Sequence, residues 1–305
     1  VVRYRVDPAD RAAFLDAMRE VRRVRFRSGA VTWRLYEDVA HPERWAEFWA
    51  VESWTEHLRE AQRLTGGDFA ALARAAEAKG VALAYEASVA GGIPVIKAIR
   101  EGLAGNAITR VYGILNGTCN YILSRMEREG LTFEACLKDA QALGYAEADP
   151  TADVEGHDAA AKAAILATIA FGAPYTLDQV AVAGITAITA EDNAAAAEAG
   201  YVIKLLAIAE RGRAADGAEG AVLRVHPTLL PREHPLASVR GAFNAVFVEA
   251  DNAGELMFYG PGAGGAPTAS AVMGDVVSIA QRIVRAKRKI VAAGIALTEI
   301  GRASC

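Results

Sequence analysis

The sequence predicts an α+β protein in two parts: a small ferredoxin-like α+β unit over residues 1–65 and a larger domain over residues 66–298. Three observations carry this. The chain has 305 residues and is 52% hydrophobic, enough for sizeable cores and, by length, about two domains. Its opening runs through period-two and helical patterns in the order strand, helix, strand, strand, helix, which suits a ferredoxin-like unit. Composition then breaks: Trp33, Trp45, Trp49 and Trp54 all fall early, the first lysine is Lys79, and from about Gly66 the chain turns rich in Ala and Gly.

In the first unit, VVRYRV alternates apolar and charged residues and reads as a half-buried strand. Asp7 and Pro8 open a helix through about Arg25, with Asp7 as N-cap and Pro8 in the first position. AVTWRLYEDV places Val31, Trp33 and Leu35 on one face of a second strand, and WAEFWAVES gives a third. The helix TEHLREAQRLT follows, ending at Gly66 and Gly67, where a cap or joint belongs. His57 on that helix reads as a surface or packed residue before it reads as a ligand.

The second part opens with a helix over 68–79 capped by Gly80, then VALAYEA as a strand leading into SVAGGIP. The tight turn around Gly91, Gly92 and Pro94 exposes carbonyl oxygens, which serve either a simple strand-to-helix turn or a cation or ligand. RVYGILNGTCNYILSRM contains a strand, an Asn-Gly turn and a helix opening near Thr118, which reads as an N-cap. FYGPGAGGAPTASAVMGDVV gives strand, glycine turn and helix. Gly260, Gly262 and Gly265 formally satisfy GxGxxG, but no second strand and no well-spaced acidic residue follow, so the turn suits contact with a cofactor held mainly elsewhere.

The densest chemistry lies in GYAEADPTADVEGHDAAAK, where Glu147, Asp149, Asp153, Glu155 and Asp158 precede one lysine, Lys162. A helix places Asp158 and Lys162 on one face about a turn apart, ahead of the apolar run AAILATIAFG. Such a pair is either a helix-end salt bridge or a proton-transfer pair at a cleft edge.

Charge and cysteine usage exclude other classes. A formal charge of -4 and a pI near 5.8 leave no basic excess for nucleic acid. No apolar run approaches a membrane span and no signal peptide opens the chain, so a cytoplasmic protein is expected. Cys119, Cys136 and Cys305 are too scattered for a disulfide framework, and the first two read as reduced, packed thiols.

Residues 1–65, through RVDPADRAAFLDAMREVRRVR and VESWTEHLRE, resemble the antibiotic-biosynthesis-monooxygenase-like module of major-facilitator secretion effectors, a dimeric α+β barrel. From about residue 68 to 283, YEASVAGGIPVIKAIREGL, GILNGTCNYIL, ALGYAEADPTADVEGHDAAAK, HPLASVRGAFNAVFVE and YGPGAGGAPTASAVMGDVV resemble homoserine dehydrogenase in order and spacing. That resemblance implies a substrate and dimerisation domain with a mixed sheet and helices, and a homodimer. It also implies NAD- or NADP-dependent interconversion of L-homoserine and L-aspartate 4-semialdehyde, a step toward threonine, methionine and isoleucine. It assigns proton transfer to Lys162 and its orientation to Asp158. Substrate contacts fall to Glu147, Asp153, Tyr145, Gly117 and Thr118, and cofactor contact to Gly264. A monovalent cation such as Na+ falls to Glu86 with the carbonyls of Val89, Gly91 and Ile93.

The sequence departs from that family in two ways. No Rossmann unit precedes residue 81, and Lys79 lacks the surroundings of the family's second active-site lysine, so this chain is expected to show no measurable dehydrogenase activity. The terminal EIGRASC matches what a sequencing adapter encodes and the chain opens without methionine. Residues 299–305 are therefore expected to be non-native, and the boundary near 66 to join fragments of two unrelated genes, with a natural fusion as the other origin; the alternative functional reading is a chimeric reading frame whose first unit is a binding or oligomerisation module with no selected overall activity.

Overall fold

The computed structural model describes residues 2–27, 30–38, 41–51, 84–213 and 219–292, and within them two sheets form from the two compositionally distinct stretches. The first is a three-stranded antiparallel sheet of β1 (Val2–Arg5), β2 (Ala30–Glu37) and β3 (Arg44–Val51), in the order β1-β3-β2. That order is the split β-α-β arrangement of a ferredoxin-like unit. Helix α1 (Arg11–Arg27) crosses between β1 and β2 and buries Phe14, Met18, Val21 and Val24, which recur at helical spacing. Asp7 caps the entry through the Ala9 amide at 2.9 Å, as expected, although Pro8–Asp10 forms a 3-10 turn before the α-helix begins.

Two features of this unit escape simple alternation. The register between β2 and β3 shifts between Ala30 and Thr32, so Val31 is an extra residue and points to solvent while Trp33 and Leu35 pack inward. Under α1, the Glu47 side chain is fully buried and accepts hydrogen bonds from Tyr4 Oη (2.6 Å), Arg25 Nε (2.9 Å) and Trp33 Nε1 (3.0 Å). Burial pushes Glu47 upward, but Arg25 and the two neutral donors outweigh it and leave the carboxyl below its ordinary range. The helices expected over 55–65 and 68–79, with His57 and Lys79, lie outside the described residues.

The second sheet has six strands in the order β5-β7-β6-β4-β8-β9. They are β4 (Ile108–Ile114), β5 (Val180–Val182), β6 (Tyr201–Arg213), β7 (Glu219–Pro231), β8 (Phe243–Ala250) and β9 (Gly254–Pro261). Only β5 and β7 pair in parallel, so the sheet is mixed, as expected. Helices α3 (Gly117–Glu129) and α6 (His157–Phe171) cover one face, where Ile122, Leu123, Ala163, Leu166 and Ala167 meet Ile203, Leu205, Val246 and Val248. Each fully buried Ile or Leu contributes about 1.5–3 kcal/mol. The opposite face carries a separate cluster around Tyr112, Leu206, Phe247 and Leu236.

The strand expected over VALAYEA is absent in its described part, where Glu86–Ser88 is a 3-10 turn. The backbone there pairs with side chains instead of a neighbouring strand. The Glu86 amide donates to Asp275 Oδ2, while its carboxylate takes the Ile96 and Lys97 amides at 2.8 and 2.9 Å and so caps α2 (Val95–Lys97), which continues as a π turn over Ala98–Gly102. Between these helices and the last strands lie α4 (Phe133–Ala142), α5 (Thr151–Val154) and α7 (Ala190–Glu198), and α8 (Gly265–Ala292) closes the described chain. Cys119 and Cys136 are buried free thiols, as read from their spacing. Among the described residues no helix is long and apolar enough to cross a membrane.

Candidate active site

The site is built where β4 ends and α3 begins. Asn116, not Thr118, is the N-cap of α3: its Oδ1 accepts the Cys119 amide at 2.8 Å. Both hydrogens of its Nδ2 are then used, one on Asp153 Oδ1 (2.7 Å) and one on Asp158 Oδ2 (2.9 Å). One amide thus holds two carboxylates side by side. Thr118, expected as the cap, lies inside the first turn, and its hydroxyl donates to the Tyr145 carbonyl at 2.5 Å. Gly117 is required between them, because a Cβ there would stand 2.7 Å from the Ala242 carbonyl oxygen of the loop pressed against α3.

Helix α6 supplies the charged pair. Asp158 lies in its first turn, where the helix dipole favours an anion, and Lys162 follows one turn later. Lys162 Nζ donates to Asp158 Oδ2 at 2.6 Å and to the Leu115 carbonyl at 3.0 Å, with the two side chains 20% and 31% exposed. A helix-end salt bridge needs only the first of these bonds. Here Asp158 also takes Asn116 and Lys162 reaches across to β4, so the pair is tied into the cluster and one ammonium donor is left over for a ligand.

Burial raises the Asp153 carboxyl above its ordinary range; the nearby Asp158 charge adds to this, while the Asn116 amide and the Lys162 charge oppose it. The Cys119 thiol donates to the Asp153 carbonyl at 3.1 Å and is itself pushed well up by burial, which leaves it a packing group. Two carboxylates against one ammonium make a net anionic cluster with a cationic corner. Such a cluster suits a small zwitterion that carries an ammonium at one end and an oxygen to be protonated or deprotonated at the other.

The remaining candidates divide. Tyr145 shares the site through its carbonyl, and its half-exposed ring lies 5.0 Å from that of Tyr121. Glu147 is exposed on the same loop, where its carbonyl oxygen accepts Gln141 Nε2 at 3.0 Å. Asp149 instead closes a local turn ahead of α5, its Oδ1 accepting the Thr151 amide and hydroxyl at 3.1 and 2.6 Å. The cation-loop and cofactor-turn residues meet each other: Gly91 N donates to Gly262 O at 2.9 Å and Gly92 N to Pro261 O at 3.0 Å. Gly264 has φ +120° at the mouth of α8, a conformation that favours glycine. Among the described residues the strand before this turn, β9, is antiparallel and pairs only with β8, so GxGxxG here does not open a parallel βαβ unit. Val89 and Ile93 are buried beside Glu86, whose carboxyl burial pushes up. Among the described residues no three His, Cys, Asp or Glu side chains group to hold a metal ion.

Two site residues escaped the sequence reading. Asn116 was legible only as half of an Asn-Gly turn. Asn244 was legible as a polar residue in phase with the inward row Val246, Val248 and Ala250, and its Nδ2 donates to the Leu115 carbonyl at 3.1 Å.

Comparison with known proteins separates the two parts of the chain. The family model for homoserine dehydrogenase matches residues 94–277, and that for transmembrane secretion effectors matches residues 1–88. The homoserine dehydrogenase of Mycobacterium leprae is 59% identical over 217 residues, which is 71% of this chain and 49% of that protein. That of Corynebacterium glutamicum is 57% identical over 225 residues, 74% of this chain and 51% of the other. The chain spans about half the length of the curated relatives it matches. Among solved structures, a homoserine dehydrogenase from Thiobacillus denitrificans superposes with TM-score 0.67 at 47% identity, covering 74% of this chain and 53% of that one. A hyperthermophilic archaeal homoserine dehydrogenase mutant in complex with NADPH superposes with TM-score 0.60 at 29% identity, covering 71% of this chain and 61% of the other.

Proposed function

The chain belongs to the homoserine dehydrogenase family, and from that premise we propose that residues 84–292 form the substrate-binding and proton-transfer portion of an enzyme that interconverts L-homoserine and L-aspartate 4-semialdehyde. The observation that carries this reading is the Asn116 amide joining Asp153 to Asp158, with Lys162 on the same Asp158 oxygen. Asp153, with Glu147 on the adjoining loop, takes the substrate ammonium. Gly117 and Thr118 shape the floor and Tyr145 the rim. Lys162 directs its remaining N–H to the substrate oxygen, handing over a proton as a carbonyl becomes an alcohol and receiving it in reverse, while Asp158 and the Leu115 carbonyl fix the ammonium.

NAD or NADP, when bound, supplies or removes the hydride. Its point of contact on this chain is Gly264, in an exposed glycine turn at the start of α8 where helix amides are available. The proposed monovalent-cation site, Glu86 with the carbonyls of Val89, Gly91 and Ile93, lies in one short loop, although the Ile93 carbonyl already accepts the Val95 amide. The Glu86 carboxylate already caps α2 through both oxygens, so it has a structural task independent of any ion, and no step is derived through one.

A second copy is the proposed partner of the sheet face that no described α-helix covers. Val222, Phe243 and Tyr259 lie 54%, 41% and 55% exposed on the side that also carries Tyr112 and Phe247. Sedimentation of the full chain tests this; a monomer at micromolar concentration would remove the assignment. A cytoplasmic setting fits the free, buried Cys119 and Cys136.

The substrate reading is tested by ligand-induced stabilisation. L-Homoserine is expected to raise the melting temperature saturably, and L-2-aminobutyrate, which lacks the hydroxyl, to do so more weakly. Lys162→Met should erase most of that difference. Equal shifts from the two ligands in the wild type would sink the assignment of Lys162 to the substrate oxygen.

A further inference from the structure

The Leu115 carbonyl receives two donors, Lys162 Nζ at 3.0 Å and Asn244 Nδ2 at 3.1 Å. A carbonyl oxygen has two lone pairs, so this one is saturated and its direction is fixed from both sides. Asn244 is 1% exposed and lies at the end of the inward row of β8, opposite Gly260 of β9. Its amide is pressed onto the glycine turn: a Cβ on Gly262 would fall 2.2 Å from Asn244 Cγ, so only glycine permits the approach. The same Gly262 accepts Gly91 N through its carbonyl. Asn244 Oδ1 is buried and has no partner, whereas Nδ2 is engaged. Leaving a buried acceptor unpaired costs about 1–3 kcal/mol, which a residue present only for packing avoids by being apolar.

We propose that Asn244 is a positioning residue for the Lys162 ammonium, acting through the Leu115 carbonyl oxygen and clamped by Gly262. The proposal rests on the reading of Lys162 given above. Through it, the glycine turn at the mouth of α8 and the proton-transferring group of α6 share one rigid connection. A shift of the turn, as a ligand settles there, moves the Asn244 amide and with it the carbonyl that aims Lys162.

Two measurements on the full chain test this. The first follows the Lys162 Nζ resonance by proton–nitrogen correlation, assigned by its loss in Lys162→Met, in the wild type and in Asn244→Ser and the isosteric Asn244→Asp. The second measures L-homoserine affinity by calorimetry for the wild type, N244S, K162M and the double variant. N244S is expected to move the Lys162 resonance and weaken homoserine about tenfold, the scale of one lost hydrogen bond, with no further loss on the K162M background. N244D should act in the same direction, which guards against a folding defect peculiar to one variant. An unmoved resonance, or losses that add in the double variant, overturns the proposal. A moved resonance with homoserine affinity unaffected by K162M upholds the positioning and instead overturns the role of Lys162.

Discussion

Two lysines of the same domain serve opposite ends. Lys162 is partly exposed, paired with a carboxylate, and keeps a donor in reserve. Lys204 on β6 is fully buried, and its Nζ donates only to uncharged acceptors: Asn120 Oδ1 (3.0 Å), Ser124 Oγ (3.2 Å) and the Val239 carbonyl (2.7 Å). Burial, with the nearby Arg240 charge, lowers it to about 8. All three of its donors are spent on structure. Asn120 extends the clasp, giving its Nδ2 to the Gly241 carbonyl at 2.8 Å, so together they hold loop 239–243 on α3. Lys204 is therefore the back support of the site that Lys162 faces, since Ala242 of this loop lies against Gly117. The difference teaches that a lysine stays available to a ligand when its partners leave a donor spare, and holds a fold when they do not.

The sharpest way to break this contrast is Lys204→Ala. It removes a fully buried side chain together with three hydrogen bonds, and a loss of about 3–5 kcal/mol is expected in denaturant unfolding. A loss near zero would mean that loop 239–243 is held by something else. Lys162→Met should do the reverse. Homoserine affinity by calorimetry should fall about 10- to 100-fold, the scale of a charged hydrogen bond. Stability should change by less than about 1 kcal/mol, because a partly solvated pair contributes little.

The smallest effect is the pH profile. In the proposed reading Asp153 binds the substrate ammonium as a carboxylate, and burial holds its free-state range above the ordinary one. Homoserine affinity should therefore be level at neutral pH and fall by about tenfold per unit once pH drops below that raised value. Asp153→Asn should be weak throughout and lose this limb of the profile. A limb that survives in Asp153→Asn would shift the ammonium contact to another acid, Glu147 being the next candidate.

Legibility in the sequence followed the range of the interaction. Asp7, Pro8 and the spacing of Phe14, Met18 and Val21 announce α1, because caps and helical faces are local. Asp158 and Lys162 were legible for the same reason, standing one turn apart. Asn116 was not, because its partners lie 37 and 42 residues away, and its neighbour Gly117 makes the pair look like an ordinary turn. The bulge at Val31 depends on β3, which the alternation of β2 cannot report. Lys204 reads as a lone polar residue in an apolar strand, and only the arrival of Asn120 and Ser124 from α3 explains its burial. In the described part of VALAYEA the expected strand gives way to a turn, because a side chain, Glu86, claims the backbone of α2.

The saturated Leu115 carbonyl also bears on the order in which the domain assembles. Strands β6 and β7 pair along their whole length as one hairpin, from Arg213↔Glu219 back to Tyr201↔Pro231, and such local pairing closes fast. The two donors on Leu115 come from 47 and 129 residues away in the chain. The second can arrive only when β8 docks beside β4, among the most distant closures in the sheet. In refolding, tryptophan-free probes of the hairpin should therefore recover before homoserine binding does. The site then acts as a check on completed assembly: a chain with its hairpin in place but β8 undocked has the secondary structure and no aim for its lysine.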